Sequence, residues 1–157
     1  MSSMSAVAPS SVHPVVAARL RRTAFLCGVA VVVLGGLGLL GWILGNDALR
    51  GSFAAGITMK TNTAIGLLLL GAALLLQQED SPGSIRMQVA RGLGAIAAVI
   101  GFATLFQHAS GANLGIDELV FKEAAGSPAT TSPNRMGIPG SIALGSLGLG
   151  LFVLGWR

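Results

Sequence analysis

The sequence predicts an all-α membrane protein of four transmembrane helices, and three observations predict it. Four apolar stretches, at 24–45, 57–76, 89–109 and 138–156, each have close to the ~20 residues that a helix needs to cross a ~30 Å hydrocarbon layer. No Asp or Glu lies inside any of them. Hydrophobic residues make up 52% of the 157-residue chain and charged residues only 10%, far below the ~25% of ordinary globular domains. Backbone groups inside lipid must be satisfied within their own segment, and uninterrupted helices do this.

The N-terminal part, 1–23, is Ser/Ala/Val-rich with two prolines and no apolar period, and is expected to be a disordered cytoplasmic tail. The four-helix membrane domain is expected to occupy 24–157. Arg19, Arg21 and Arg22 precede the first span like the basic region of a secretory signal, and Ser52–Phe53–Ala54 loosely matches a cleavage site. An apolar run of ~22 residues is nevertheless longer than the 7–15 of a signal core, so the span is expected to be retained. Cys27, the only cysteine, lies inside it, which excludes an intrachain disulfide.

Orientation follows from Lys and Arg. With the N-terminus cytoplasmic, that side receives Arg19, Arg21, Arg22, Arg86, Arg91 and Arg157. The other side receives Arg50, Lys60, Lys122 and Arg135. Three arginines directly before the first span add to the bias, which places both termini in the cytoplasm. Trp42 and Trp156 fall near span ends, where indoles favour the interface. In the inner loop, Ser81–Pro82–Gly83 is a turn signal that lets two helices lie antiparallel.

The second outer loop, 110–137, is the longest. Its first half places Leu114, Leu119, Val120 and Phe121 around Asp117 and Glu118. Glu118 and Lys122 are spaced i,i+4, which supports one or two turns of amphipathic helix lying on the membrane surface or over the bundle's outer mouth. Its second half, Gly126–Asn134, reads as flexible.

Small residues predict the helix contacts: Gly41–Gly45 in the first span, Ala97–Gly101 in the third, Ser141–Gly145 and Ser146–Gly150 in the fourth. The bulky second span, with Leu67–Leu70 and Leu74–Leu76, is expected to face lipid over much of its circumference.

The segment Met59-Lys60-Thr61-Asn62-Thr63 is the most specific. The apolar run after it, Ala64–Leu76, covers only ~20 Å at 1.5 Å per residue. The helix must therefore begin at or before Lys60, with Lys60 snorkelling outward and Thr61 or Asn62 bracing the start. A fainter copy opens the fourth span: Met136 matches Met59 at an offset of 77, and 142–145 matches 63–66 at an offset of 79. Two helix-hairpin repeats in parallel orientation are the expected architecture. Met59, Lys60, Thr61, Asn62, Thr63, Asp117 and Glu118 form a candidate sensory polar cluster. Gly41, Gly45, Ala97, Gly101, Gly145 and Gly150 are candidate packing positions.

Met59-Lys60-Thr61-Asn62-Thr63-Ala64, then 114–121 (Leu-Gly-Ile-Asp-Glu-Leu-Val-Phe), then Arg135–Met136 together resemble the multi-spanning N-terminal sensory region of bacterial sensor histidine kinases and diguanylate-cyclase-type signalling proteins. In that family a Met-x-x-Asn-Thr-Ala helix start recurs, followed by a Leu-Gly-Ile-Asp loop and an Arg-Met-x-Pro-Asn-Thr-Ala segment. The resemblance covers Trp42 to Trp156. It implies a membrane-embedded signal-transducing input module in the bacterial cytoplasmic (inner) membrane, part of a two-component system. This chain departs from the pattern at Met136–Ser141, which carries two extra residues by the offset and lacks the Asn-Thr pair. Within these 157 residues no kinase, PAS or cyclase output domain is expected.

Other chemistry finds no footing. His13 and His108 stand far apart and from Cys27, so no metal site is spaced for. No carboxylate pair and no nucleophile with a base is in view, so neither an enzyme nor a cofactor is expected. Mid-membrane ionisable groups, the mark of transporters, are missing. The +4 net charge is spread over loops and forms no basic stripe, which argues against nucleic acid. The expected partners are the lipid bilayer and another membrane or signalling protein, or a second copy in a homodimer. The competing reading is a small structural or assembly subunit of a larger membrane complex.

Overall fold

The computed structural model describes residues 14–51, 57–78, 84–124, 126–127 and 132–154. Among these residues are four α-helices, α1 (Pro14–Leu44), α2 (Thr61–Leu76), α3 (Ile85–Ser110) and α4 (Ile138–Leu154), and one 3-10 turn at Ile116–Glu118. Among the described residues there is no strand. α1 and α3 are long and apolar enough to cross a membrane, whereas the apolar helices α2 and α4 are shorter, with 16 and 17 residues. Trp156, Arg157, the Ser81–Gly83 turn and residues 1–13 of the tail lie outside the described residues.

α1 starts ten residues before the expected span, so 14–23 is helix rather than tail. Pro14 suits the first helical position because its missing N–H costs nothing there. The Ala- and Arg-rich stretch behind it has high helix propensity, and a long apolar helix propagates into it cheaply. α3 likewise starts early, at Ile85, where the Ser84 hydroxyl accepts from the Met87 N–H at 3.3 Å. α1 and α3 end alike: Gly45 (φ +64°) and Gly111 (φ +71°) take the left-handed conformation that stops a helix.

α2 is the centre of the bundle. It packs against α1 on one side and against α3, α4 and the 3-10 turn on the other. None of its residues is exposed, which overturns the expectation that its leucines face lipid. The leucines instead fill space opened by glycines on the neighbours: Leu75 lies over Gly28, Leu67 and Leu68 over Gly35, and Leu70 joins Ala97, Met136 and Leu144 in the core. The uncovered apolar surface belongs to α1, α3 and α4, where Phe25, Val33, Leu40, Val99, Phe106, Leu147 and Val153 are exposed.

The helix seams use small residues seven apart: Gly28 and Gly35, Gly94 and Gly101, Ser141 and Gly148. Of the expected packing positions, Ala97 is fully buried and Gly101 meets Gly145 across the α3–α4 contact. Three others do not join helices. Gly41 lies against the backbone of Leu49 and Arg50, Gly45 is the left-handed stop, and Gly150 has open space around it. GxxxG spacing selects them by pattern alone, while the true seams repeat near two turns, which keeps one helix face in register.

The two hairpins repeat. Gly35 faces the Ala64 carbonyl and the Leu68 N–H, and Gly101 faces the Ser141 carbonyl and the Gly145 N–H. Gly28 pairs with Gly71 as Gly94 pairs with Gly148. The first helices are thus related by 66 positions and the second by 77. Met59 and Met136 obey the same offset of 77, so the second copy carries no two-residue insertion. The match of 142–145 to 63–66 compared common Ala, Leu and Gly rather than equivalent backbone.

Candidate functional site

The polar groups gather at the end of the bundle where α2 and α4 begin. The α2 start is extended at Lys60 and offers no side-chain cap of its own. Neither Thr61 nor Asn62 caps it. The cap comes from 73 residues downstream: Asn134 Oδ1 accepts the Thr61 N–H at 3.0 Å, and Asn134 Nδ2 donates to Thr61 Oγ1 at 2.7 Å. Nδ2 also donates to the Phe121 carbonyl at 2.8 Å. Asn134 is fully buried and holds φ +54°, a conformation that Asn adopts more readily than most residues. The stretch read as flexible thus ends in a fixed anchor.

Lys60 is buried rather than snorkelling. Its Nζ meets Glu123 Oε1 at 2.6 Å, and both side chains are under a tenth exposed. Glu123 Oε2 accepts the Asn134 N–H at 2.6 Å. This one carboxylate therefore ties the α2 start to the turn before α4.

A second buried ion pair lies beside it. Arg135 Nε meets Asp117 Oδ2 at 2.8 Å, and Gln107 Nε2 donates to the same oxygen at 3.1 Å. Gln107 Oε1 accepts the Leu114 N–H at 2.7 Å. Asp117 Oδ1 is buried without a hydrogen-bond partner among the described residues. Asn62 Nδ2 donates to the Ile116 carbonyl at 3.1 Å and so holds the 3-10 turn to α2. One or two helical turns were expected over 113–122, and 116–118 makes one, a 3-10 turn. Glu118 does not pair with Lys122 there; its Oε1 accepts the Glu123 N–H at 3.4 Å.

The two repeats close in matching ways. Trp42 Nε1 donates to the Met59 carbonyl, and His108 Nε2 contacts the Met136 carbonyl, both at 2.8 Å. A carbonyl only accepts, so His108 carries its proton on Nε2 in this contact. His108 is therefore a structural counterpart of Trp42. Arg50 lies 4.2 Å over the Trp42 ring, Phe121 stacks on the same indole at 5.8 Å, and Arg50 pairs with Asp47.

The structure brings together five of the seven candidate residues. Lys60, Thr61 and Asn62 meet the loop that carries Asp117 and Glu118, Met59 lies instead against Gly38, Trp42 and Arg50, and Thr63 lines a small apolar cavity with Met136 and Leu144. Sequence reasoning missed Gln107, Glu123 and Asn134. Arg135 was visible as part of the Arg-Met motif, but without its ion pair. Buried charges require partners, and those partners lie 18 and 63 residues away in sequence.

The fold and site define an all-helical, four-helix protein with two helices long and apolar enough to cross a membrane and a buried polar cap joining its hairpins. No family model matches the chain, and neither a curated protein nor a solved structure matches it.

Proposed function

We propose that the chain is the four-span membrane input module of a signalling protein, embedded in the bacterial inner membrane with both termini cytoplasmic. The polar cap faces outward, and its state sets the position of α2. One observation carries this reading: the start of the central helix is held by side chains of the other hairpin, through Asn134, Glu123 and the Asn62–Ile116 contact. A change in the 113–135 loop is therefore transmitted directly to α2, and through α2 to the far end. There Gln77 Nε2 donates to the Leu151 carbonyl at 2.7 Å, tying α2 to α4.

Membrane embedding is supported by the broad uncovered apolar faces of α1, α3 and α4, which are too extensive for water. α2 and α4 measure ~24–26 Å at 1.5 Å per residue. Local thinning of the bilayer accommodates that shortfall at modest cost. The proposal agrees with the resemblance to sensor-kinase input regions.

The test joins the full chain upstream of a kinase output domain in bacterial cells and follows phosphorylation as the external medium is varied. The expected result is an output that changes with the medium and is lost when an unrelated four-span segment replaces the chain. An unresponsive output, together with isolation of the native protein at fixed stoichiometry in a large membrane complex, would favour the structural-subunit reading.

A further inference from the structure

A cavity of about 440 Å³ opens between the two loops at the polar end, within the ~300–1,000 Å³ range of small-molecule sites. Its walls combine the Trp42–Phe121 stack with four charged residues, Asp47, Arg50, Lys122 and Glu123. The charges decide what fits. Glu123 is neutralised by Lys60, and Asp47 by Arg50. Lys122 is exposed and makes no ion pair among the described residues. Arg50 spends Nε on the Gly41 carbonyl and Nη1 on Asp47, and its Nη2 makes no hydrogen bond among the described residues. The uncompensated charge is positive, and it stands beside an apolar aromatic wall.

The Trp42 ring already holds Arg50 over it at 4.2 Å and Phe121 stacked at 5.8 Å. With the Arg50 cation already on the indole, a second, organic cation is disfavoured there by like charge. We propose that the cavity binds a small organic carboxylate with an apolar body. The carboxylate sits between Lys122 Nζ and Arg50 Nη2, and the body lies along Phe121. Guanidinium and ammonium donors give such an anion short, charge-assisted hydrogen bonds.

The inference rests on the input-module reading and supplies its stimulus. Segment 121–124 faces the cavity on one side and the cap on the other. Phe121 lends its carbonyl to Asn134, and Glu123 grips both Lys60 and the Asn134 N–H. A carboxylate drawn to Lys122 pulls on the segment that fixes α2.

The experiment uses the full chain in lipid nanodiscs, with Trp156→Phe so that Trp42 is the only indole of the two in the sequence. Phenylacetate is titrated while indole emission is followed, with phenylacetamide and phenethylammonium as neutral and cationic controls. Arg50 lies on the indole, so its displacement toward an anion shifts the emission. The expected result is a saturable shift with phenylacetate and none with either control. Lys122→Gln should weaken it roughly tenfold, and Lys122→Arg should retain it. Lys122 is exposed, so neither change should disturb the fold. A response equal for acid and amide, no saturable response, or full binding by Lys122→Gln overturns the proposal. Absent binding with a medium-dependent kinase output removes the carboxylate site alone. Binding that leaves the output unmoved overturns its role as stimulus, and the input-module reading falls with it only if the output also fails to follow the medium.

Discussion

Replacing Asn134 separates two contributions to the cap. Asn134→Gly keeps the left-handed backbone at φ +54° but removes three side-chain hydrogen bonds. At ~1 kcal/mol net for each bond, or ~0.6 where membrane measurements apply, the loss is about 2–3 kcal/mol. Asn134→Ala removes the same bonds and adds a left-handed penalty of about 1–2 kcal/mol. The expected order of stability is wild type, then Gly, then Ala, with Ala lower by about 3–5 kcal/mol. Unfolding in mixed micelles of rising SDS fraction, followed by circular dichroism, reads both differences. A loss under about 0.5 kcal/mol for both variants would mean that Asn134 does not cap α2. Equal losses for the two would mean that its backbone conformation costs Ala nothing.

Three further expectations follow from the same geometry. Gly101→Leu should destabilise by at least ~1–3 kcal/mol, because its Cβ falls on Gly145 backbone that cannot step aside. Gly36→Leu and Gly150→Leu, which meet open space, should cost under ~0.5 kcal/mol in the same assay. Lys60→Met should cost ~3–5 kcal/mol by leaving Glu123 buried and unpaired. Adding Glu123→Leu should recover part of that, a double-mutant cycle that additive losses would contradict. Leu70→Ala should cost ~2–5 kcal/mol, since that side chain lies in the core, and a neutral result would return α2 to the lipid face.

The four helical segments were legible because apolar length is a local property, and lipid leaves few alternatives to helix. The Met59 and Met136 correspondence was legible for the same reason: it repeats in the string. The centrality of α2 was not, because a run of leucines reads alike whether it meets lipid or the glycines of α1. Lys60 looked like a snorkelling lysine while Glu123 was merely a loop acid; only their meeting makes both buried. Asn134 sat in a Ser/Pro-rich stretch whose composition signals a loop and says nothing of which donor it caps. The loop segment around Asp117 drew attention through its resemblance, yet the ion pair with Arg135 needed the fold.

The central claim is that the cap sets α2 and thereby an output. Asn62→Leu and Asp117→Asn test it directly in the kinase-linked chain, under the external conditions that move the wild-type signal. Asn62→Leu breaks the contact between α2 and the 116–118 turn, and Asp117→Asn removes the charge opposite Arg135. With insertion and expression matched to wild type, phosphorylation that no longer follows the medium, fixed high or low in both variants, is the predicted result. Wild-type responses from both would contradict the account and leave the cap a structural clasp.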